Sequence, residues 1–262
     1  MEVPVRLTFL GHAAAALQFG AHEVLVDPFL TGNPKAAVAA DALSPQTIVL
    51  THAHADHVGD ALAIAERCGA TIVSSVEIVG KLQRDRGSQA RSAADDGRNS
   101  RGDAAGTANA EELGDAKFLG ANSGGRVAMP FGALRFTPAW HSSSFADGTY
   151  GGMPMGVVFE FDDLRVYHAG DTALFGDMAL IGRHGLDLAL LPIGGHFTMD
   201  PGEALEAVRL LRPRHVVPVH YGTFDLIAQD ALAFRDAVAA LPEADVGGAV
   251  VHPLAPGEAL EL

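Results

Sequence analysis

Histidine and aspartate, closely spaced, carry most of the chemistry open to this chain. Thr51-His52-Ala53-His54-Ala55-Asp56-His57 places three imidazoles and a carboxylate within six residues, directly after the apolar run 48–50. Side chains two apart on an extended segment point the same way, so His52 and His54 can converge. Asp56 and His57 open the next element and can aim at a second point nearby, and the small Ala53 and Ala55 leave room for both. Imidazoles and a carboxylate gathered at a strand end are the donor set of a metal site. The single cysteine, Cys68, excludes an internal disulfide and any zinc site built on two or more thiolates. A metal here is therefore held by nitrogen and oxygen. No Gly-x-Ser-x-Gly elbow is present, so water is the expected nucleophile.

These residues need a scaffold, and the hydrophobic pattern supplies one. Short β-rich runs cover 5–10, 15–19, 24–26 and 48–50, punctuated by Gly11, Gly20 and Asp27-Pro28. Residues 56–68 carry apolar positions at helical spacing and read as one amphipathic helix with Asp56 as an acidic N-cap. Further strands are expected at 71–73, 134–137, 157–161 and 164–167, and the apolar runs 186–191 and 216–219 read as fully buried strands. Asp200, Pro201 and Glu203 open a helix over 201–211 with a capping box, and another helix is expected over 228–241, ended by Pro242. Strands followed by helices in both halves predict an α/β layered sandwich, a single domain over 1–262. One stretch stands apart. From Gln83 to Glu112 there is no Val, Ile, Leu, Met, Phe, Tyr, Trp or Pro. Such a composition predicts a low-complexity surface insertion at about 83–125, either a passive loop or a lid bearing arginines.

Composition narrows the partners. The 262 residues are 48% hydrophobic and 19% charged, with 18 Lys+Arg against 32 Asp+Glu and a formal charge of −14. That surface repels phosphate backbones, so a small-molecule substrate is expected and nucleic acid is not. Residues 1–6 lack the basic and apolar regions of a signal peptide, and no apolar run reaches the length of a membrane span. The expectation is a cytoplasmic protein without a membrane partner; a homo-oligomer stays open.

The H-x-H-x-D-H run resembles the hallmark of the metallo-β-lactamase superfamily, and the resemblance extends along nearly the whole chain. It includes Thr8-Phe9-Leu10-Gly11-His12-Ala13, Val26-Asp27-Pro28-Phe29-Leu30-Thr31-Gly32-Asn33-Pro34 and Thr137-Pro138-Ala139-Trp140-His141-Ser142-Ser143. Tyr167-His168-Ala169-Gly170-Asp171-Thr172, Leu191-Pro192-Ile193-Gly194-Gly195-His196-Phe197-Thr198-Met199 and Val217-Pro218-Val219-His220-Tyr221 belong to it as well. The branch it is most similar to is that of predicted metal-dependent hydrolases related to ascorbate-6-phosphate lactonase. Residues 83–125 are the main departure. The resemblance implies a four-layer αββα sandwich and two divalent metal ions. His52, His54 and His141 would bind the first ion, Asp56, His57 and His220 the second, and Asp171 would bridge them. Zinc suits this donor set, with Mn²⁺ or Fe²⁺ as alternatives. His54, where a redox di-iron member would typically carry Glu, favours hydrolysis over electron transfer.

The implied activity is hydrolysis of a lactone, ester or phosphodiester bond by metal-activated hydroxide, with Asp56 and Asp171 in the catalytic centre. His196, in a Gly-Gly-His loop, is a candidate proton donor or substrate contact, and His12 a similar candidate in its turn. Asp27 and Thr172 are candidate partners for the outer nitrogens of the ligand imidazoles. His168 reads as structural and Tyr221 as packing. Two other functions compete: a nucleic-acid-processing metallo-hydrolase, and a non-catalytic metal-binding or sensing module.

Overall fold

The computed structural model describes residues 4–99 and 116–262. Its first half runs β1 (Val5–Gly11), β2 (Ala14–Phe19), β3 (His22–Val26), β4 (Thr47–Val49), α1 (Ala55–Val58), α2 (Ala61–Cys68), β5 (Thr71–Ser75), α3 (Val76–Asn99) and β6 (Lys117–Ala121). The second half runs β7 (Arg126–Met129), β8 (Gly132–Pro138), β9 (Met155–Phe161), β10 (Leu164–His168), α4 (Met178–Gly182), β11 (Leu188–Pro192) and α5 (Pro201–Leu211). It closes with β12 (His215–Val219), α6 (Ala231–Ala239), α7 (Glu243–Val246), β13 (Val250–Val251) and β14 (Ala259–Glu261).

Two seven-stranded sheets result, ordered β14-β1-β2-β3-β4-β5-β6 and β13-β12-β11-β10-β9-β8-β7. The strand alternation explains how they stack. In the first sheet Val24, Val26, Val49 and Val73 face the second sheet, while their neighbours Leu25, Ile48, Leu50 and Ile72 face outward onto α2 and α3. In the second sheet Val157, Phe159, Leu188, Leu190 and Val217 point inward, while Val158, Ala189, Leu191 and Val216 pack against α4, α5 and α6. Period two thus buries both faces of the central strands, which is why they read as continuous apolar runs. The architecture is a four-layer αββα sandwich, as expected.

Strands β3, β4, β5 and β6 are mutually parallel, as are β10, β11, β12 and β13. β8 runs antiparallel to β9, and β9 antiparallel to β10, so β8 shares the direction of β10. The carboxyl ends of these parallel strands hold the loops that carry the candidate site.

Three local expectations change. The helix expected over 56–68 is two short helices, because Gly59 sits at φ +41° and turns the chain. A Cβ there would collide with the Pro28 carbonyl, so only glycine fits. Asp60, just past the break, accepts hydrogen bonds from the Leu30 and Thr31 amides at 3.1 and 2.8 Å and ties the turn to the loop after β3. The helix expected over 228–241 is shorter and begins after Asp230, whose carboxylate accepts from the Leu232 and Ala233 amides.

The region expected to be an insertion from 83 to 125 is regular at both ends. Helix α3 continues through Asn99, and β6 pairs in parallel with β5. Buried Ile78, Val79 and Leu82 dock the first turns of α3. Ala, Arg and Gln in this stretch are good helix formers, and a search for apolar residues does not register that propensity. The centre of that region, 100–115, lies outside the described residues. The capping box at α5 is as expected: Asp200 accepts from the Glu203 amide at 2.8 Å and Glu203 accepts from the Asp200 amide.

Candidate metal centre

The site forms where six loops meet at the strand ends. His12 follows β1, Asp27 follows β3, and His52, His54, Asp56 and His57 follow β4. His141 follows β8, Asp171 follows β10 and His220 follows β12. Both sheets therefore contribute. His12, Asp27 and His220 all adopt left-handed backbone at φ +58°, +44° and +55°, which is uncommon outside glycine and gathers at functional sites. The His220 amide donates to the His12 carbonyl at 2.7 Å, locking two of these turns together.

Seven expected side chains come together. His52, His54 and His141 form one group whose ligand atoms lie within 4.8 Å of one another, and Asp56, His57, His220 and His12 form a second on the same criterion. Asp171 lies between them. Its Oδ2 is 3.6 Å from His141 Nε2 and 3.0 Å from His220 Nε2, and its Oδ1 is 3.3 Å from His57 Nε2. Within the first group His52 Nε2 and His54 Nδ1 face each other at 2.9 Å.

The ring orientations have identifiable causes. Asp27, fully buried, accepts from the Thr51 amide at 2.8 Å, the Thr51 hydroxyl at 2.6 Å and His57 Nδ1–H at 2.8 Å. Because the Thr51 hydroxyl gives its proton to Asp27, its oxygen accepts from His52 Nδ1–H at 3.0 Å. Both imidazoles thus spend Nδ1–H on oxygen acceptors and aim Nε2 into the site, the arrangement that orients metal-binding histidine. His12 does similar work on Asp56. Its Nε2–H donates to Asp56 Oδ2 at 3.1 Å, and its Nδ1 accepts from the Thr223 hydroxyl at 2.9 Å.

Electrostatics separates the rings. Burial, with repulsion from His57, holds His52 well below its ordinary pKa. Burial also lowers His12, His54 and His141. Burial opposes charge on His57 and His220, yet Asp171 outweighs it: His57 lies well above its usual value and His220 is pushed up to about 9. Burial likewise opposes charge on Asp171 and Asp56. For Asp171 the neighbouring His57 and His220 prevail, and for Asp56 the His12 hydrogen bond and the nearby His220 and His57 rings do, so both stay ionised.

The donors fit a metal. His57 Nε2, Asp171 Oδ1 and both ring nitrogens of His220 are buried without a hydrogen-bond partner. An orphaned buried polar atom costs free energy of about 1–3 kcal/mol, and several pointing into one space mark a place for a cation. Half-buried Asp56 and His54 reach solvent and leave the site open on one side.

Other expected residues lie apart. His196 is exposed, packs its ring on Phe197 at 4.5 Å and joins neither ligand group. Thr172 accepts from the Trp140 amide and donates to the Ala173 carbonyl, holding two loops together without touching a ligand atom. His168 is structural: Nε2–H donates to the Ala13 carbonyl and Nδ1 accepts from the Gly170 amide. Tyr221 is half-buried and packs against the helical layer of the second sheet. Sequence reasoning missed Thr51 and Thr223. Only the position of Thr51 before the histidine run offered a signal; Thr223 offered none.

Comparison with known proteins identifies the family. The sequence model of the Beta-lactamase superfamily domain matches residues 22–221. The chain belongs to the beta-lactamase superfamily. Within the superfamily it is similar to the UPF0173 metal-dependent hydrolase of Thermus thermophilus, 46% identical over 258 residues that cover 98% of this chain and 99% of the relative. It is also 42% identical to the UPF0173 metal-dependent hydrolase of Deinococcus radiodurans, over 98% of this chain and all of the relative. Among solved structures it resembles Igni18, a metallo hydrolase from the archaeon Ignicoccus hospitalis, with 35% identity, a TM-score of 0.79 and coverage of 99% and 98%. The superfamily fold also relates it to the isothiocyanate hydrolase from Delia radicum gut bacteria, at 17% identity and a TM-score of 0.67 over 97% and 98% of the two chains. Among the described residues no helix is long and apolar enough to cross a membrane.

Proposed function

We propose that this chain is a metal-dependent hydrolase whose centre holds two divalent ions, zinc by donor type, and cleaves a lactone, carboxylic ester or phosphodiester bond. The observation that carries this reading is Asp171, a buried carboxylate within 4.0 Å of imidazoles from both ligand groups. His52, His54 and His141 would hold one ion, and Asp56, His57 and His220 the other.

Bound divalent ions lower the pKa of water and polarise the oxygen under attack. The chain's own groups do the rest. Asp171 places negative charge where two cations would repel. Asp27 and Thr51 fix the His52 and His57 rings. Asp56, anchored by His12 and open to solvent, stays ionised and would accept a hydrogen bond from the attacking water, orienting it. Exposed His196 is a substrate contact at the mouth on this reading.

The test is metal analysis of the purified protein, followed by a panel of esters, lactones and phosphodiesters with and without chelator. The reading predicts turnover that chelation abolishes and Zn²⁺ or Mn²⁺ restores. Turnover that survives exhaustive chelation, or that a serine-directed reagent stops, contradicts it.

A further inference from the structure

The mouth of the site has an unusual surface. Eleven large hydrophobic residues are exposed among the described residues, and six of them, Trp140, Tyr150, Met153, Phe197, Phe224 and Leu226, sit on loops at the ligand end, 46–67% exposed. Single exposed apolar residues are ordinary, whereas several together mark a binding surface. They come from three loops, those after β8, β11 and β12, and two of these loops also carry the donors His141 and His220. Trp140 precedes His141, and its backbone is pinned by the Thr172 hydroxyl and the Ala173 amide. The Phe224 ring lies 5.9 Å from the His12 ring.

Charge at the mouth is equally one-sided. Residues 27–34, 50–60, 139–154, 169–177, 193–200 and 220–230 contain no lysine or arginine. Lys81, near the 139–154 loop, is already paired with Asp85 and Asp147. Lys35 lines an adjoining pocket of about 770 Å³ whose wall mixes the apolar Phe9, Leu232 and Leu254 with His12, Gln229 and Asp230, so its single ammonium shares that wall with a carboxylate. Recognition of phosphate relies on clustered cationic donors, above all arginine. None is built into these loops.

Resting on the metal-centre reading, we infer that the substrate is a neutral carboxylic ester or lactone with an apolar acyl or alkoxy part seated on Trp140, Phe197 and Phe224, and that phosphodiesters are poor substrates. The oxygen of water bonds to the carbonyl carbon and the acyl C–O bond breaks. The acid keeps that oxygen, and the departing alkoxide takes one of the water's protons; in a lactone both ends remain on one molecule. Asp56 and His54, half-buried, keep the centre open to solvent on one side, which suits entry of a small molecule as the occupant.

Trp140 is the only tryptophan, so its emission reports on this rim alone. The experiment has two arms on the zinc-loaded protein. In the first, p-nitrophenyl esters from acetate to octanoate and bis(p-nitrophenyl) phosphate are compared as substrates. In the second, neutral methyl ketones of rising chain length are titrated while Trp140 emission is followed, with a repeat on metal-free protein. The inference predicts that KM falls about tenfold or more from acetate to octanoate as apolar surface is buried. The long ketones shift Trp140 emission to the blue, and Phe197→Ala and Phe224→Ala flatten both chain-length dependences with zinc content unchanged. Chain-length-independent KM and emission, preferential turnover of the phosphodiester, or emission that follows protein concentration instead of ketone overturns it. Loss of all turnover alongside chain-length-dependent ketone binding counts against the hydrolytic reading and for the apolar rim.

Discussion

Asp27 accepts three hydrogen bonds at the base of the site and through them fixes His57 directly and His52 by way of Thr51. Asp27→Asn keeps the shape but turns an N–H toward one of those donors. Zinc affinity, read by competition with a chelating dye, is expected to fall about 10–100-fold with the circular dichroism unchanged; undiminished affinity would show that the carboxylate is only a turn residue. The charges give a second prediction. With His220 pushed up to about 9 and His57 raised, both rings carry protons near neutral pH in the metal-free protein. A metal must displace them, so zinc uptake releases protons and affinity climbs as pH rises, flattening for His220 above about 9. Binding heats that depend on the ionisation enthalpy of the buffer are the readout, and buffer-independent heats contradict it. The H-x-H-x-D-H run was legible because its donors are chain neighbours. His141, Asp171 and His220 were legible only through family resemblance. The clamp on Asp56 was not legible, since His12 lies 44 positions from Asp56 and 211 from Thr223, and local spacing says nothing of such convergence.

Gly59 shows how an element aims its donors. Its φ of +41° ends α1 one residue after His57, and a side chain there would strike the Pro28 carbonyl beside Asp27. Gly59→Ala is expected to cost about 1–3 kcal/mol in urea denaturation and to weaken the Asp56–His57–His220 group more than the His52–His54–His141 group. Parental stability and metal content would contradict this role. Apolar periodicity over 56–68 read as one helix because a single glycine interrupts the pattern weakly, and the break depends on a contact with a distant loop. The same limit explains 83–125. Composition registered the missing apolar residues but not the helix propensity of Ala, Arg and Gln in α3, nor that β6 completes a parallel pair with β5. The central strands were readable throughout, because burial on both faces leaves long apolar runs between turn signals.

The whole molecule has a divided centre. The first sheet supplies His52, His54, Asp56 and His57, and the second supplies His141, Asp171 and His220. Metal held by these groups would link the two halves, and removing it with chelator is expected to lower the unfolding temperature, in line with binding to the folded state alone; an unchanged midpoint in a calorimetric scan would contradict that link. A formal charge of −14 and described ligand-end loops 27–34, 50–60, 139–154, 169–177, 193–200 and 220–230 without lysine or arginine set the same preference at this scale, for neutral small molecules over polyanions. The central claim, two ions bridged by Asp171, is tested most directly by metal-to-protein stoichiometry on folded parent, His220→Ala and Asp171→Ala proteins after equilibration with zinc. Two ions per chain are expected in the parent, one in His220→Ala, and weakened binding of both in Asp171→Ala. One ion per chain in the parent, or two held by Asp171→Ala as tightly as by the parent, would contradict it.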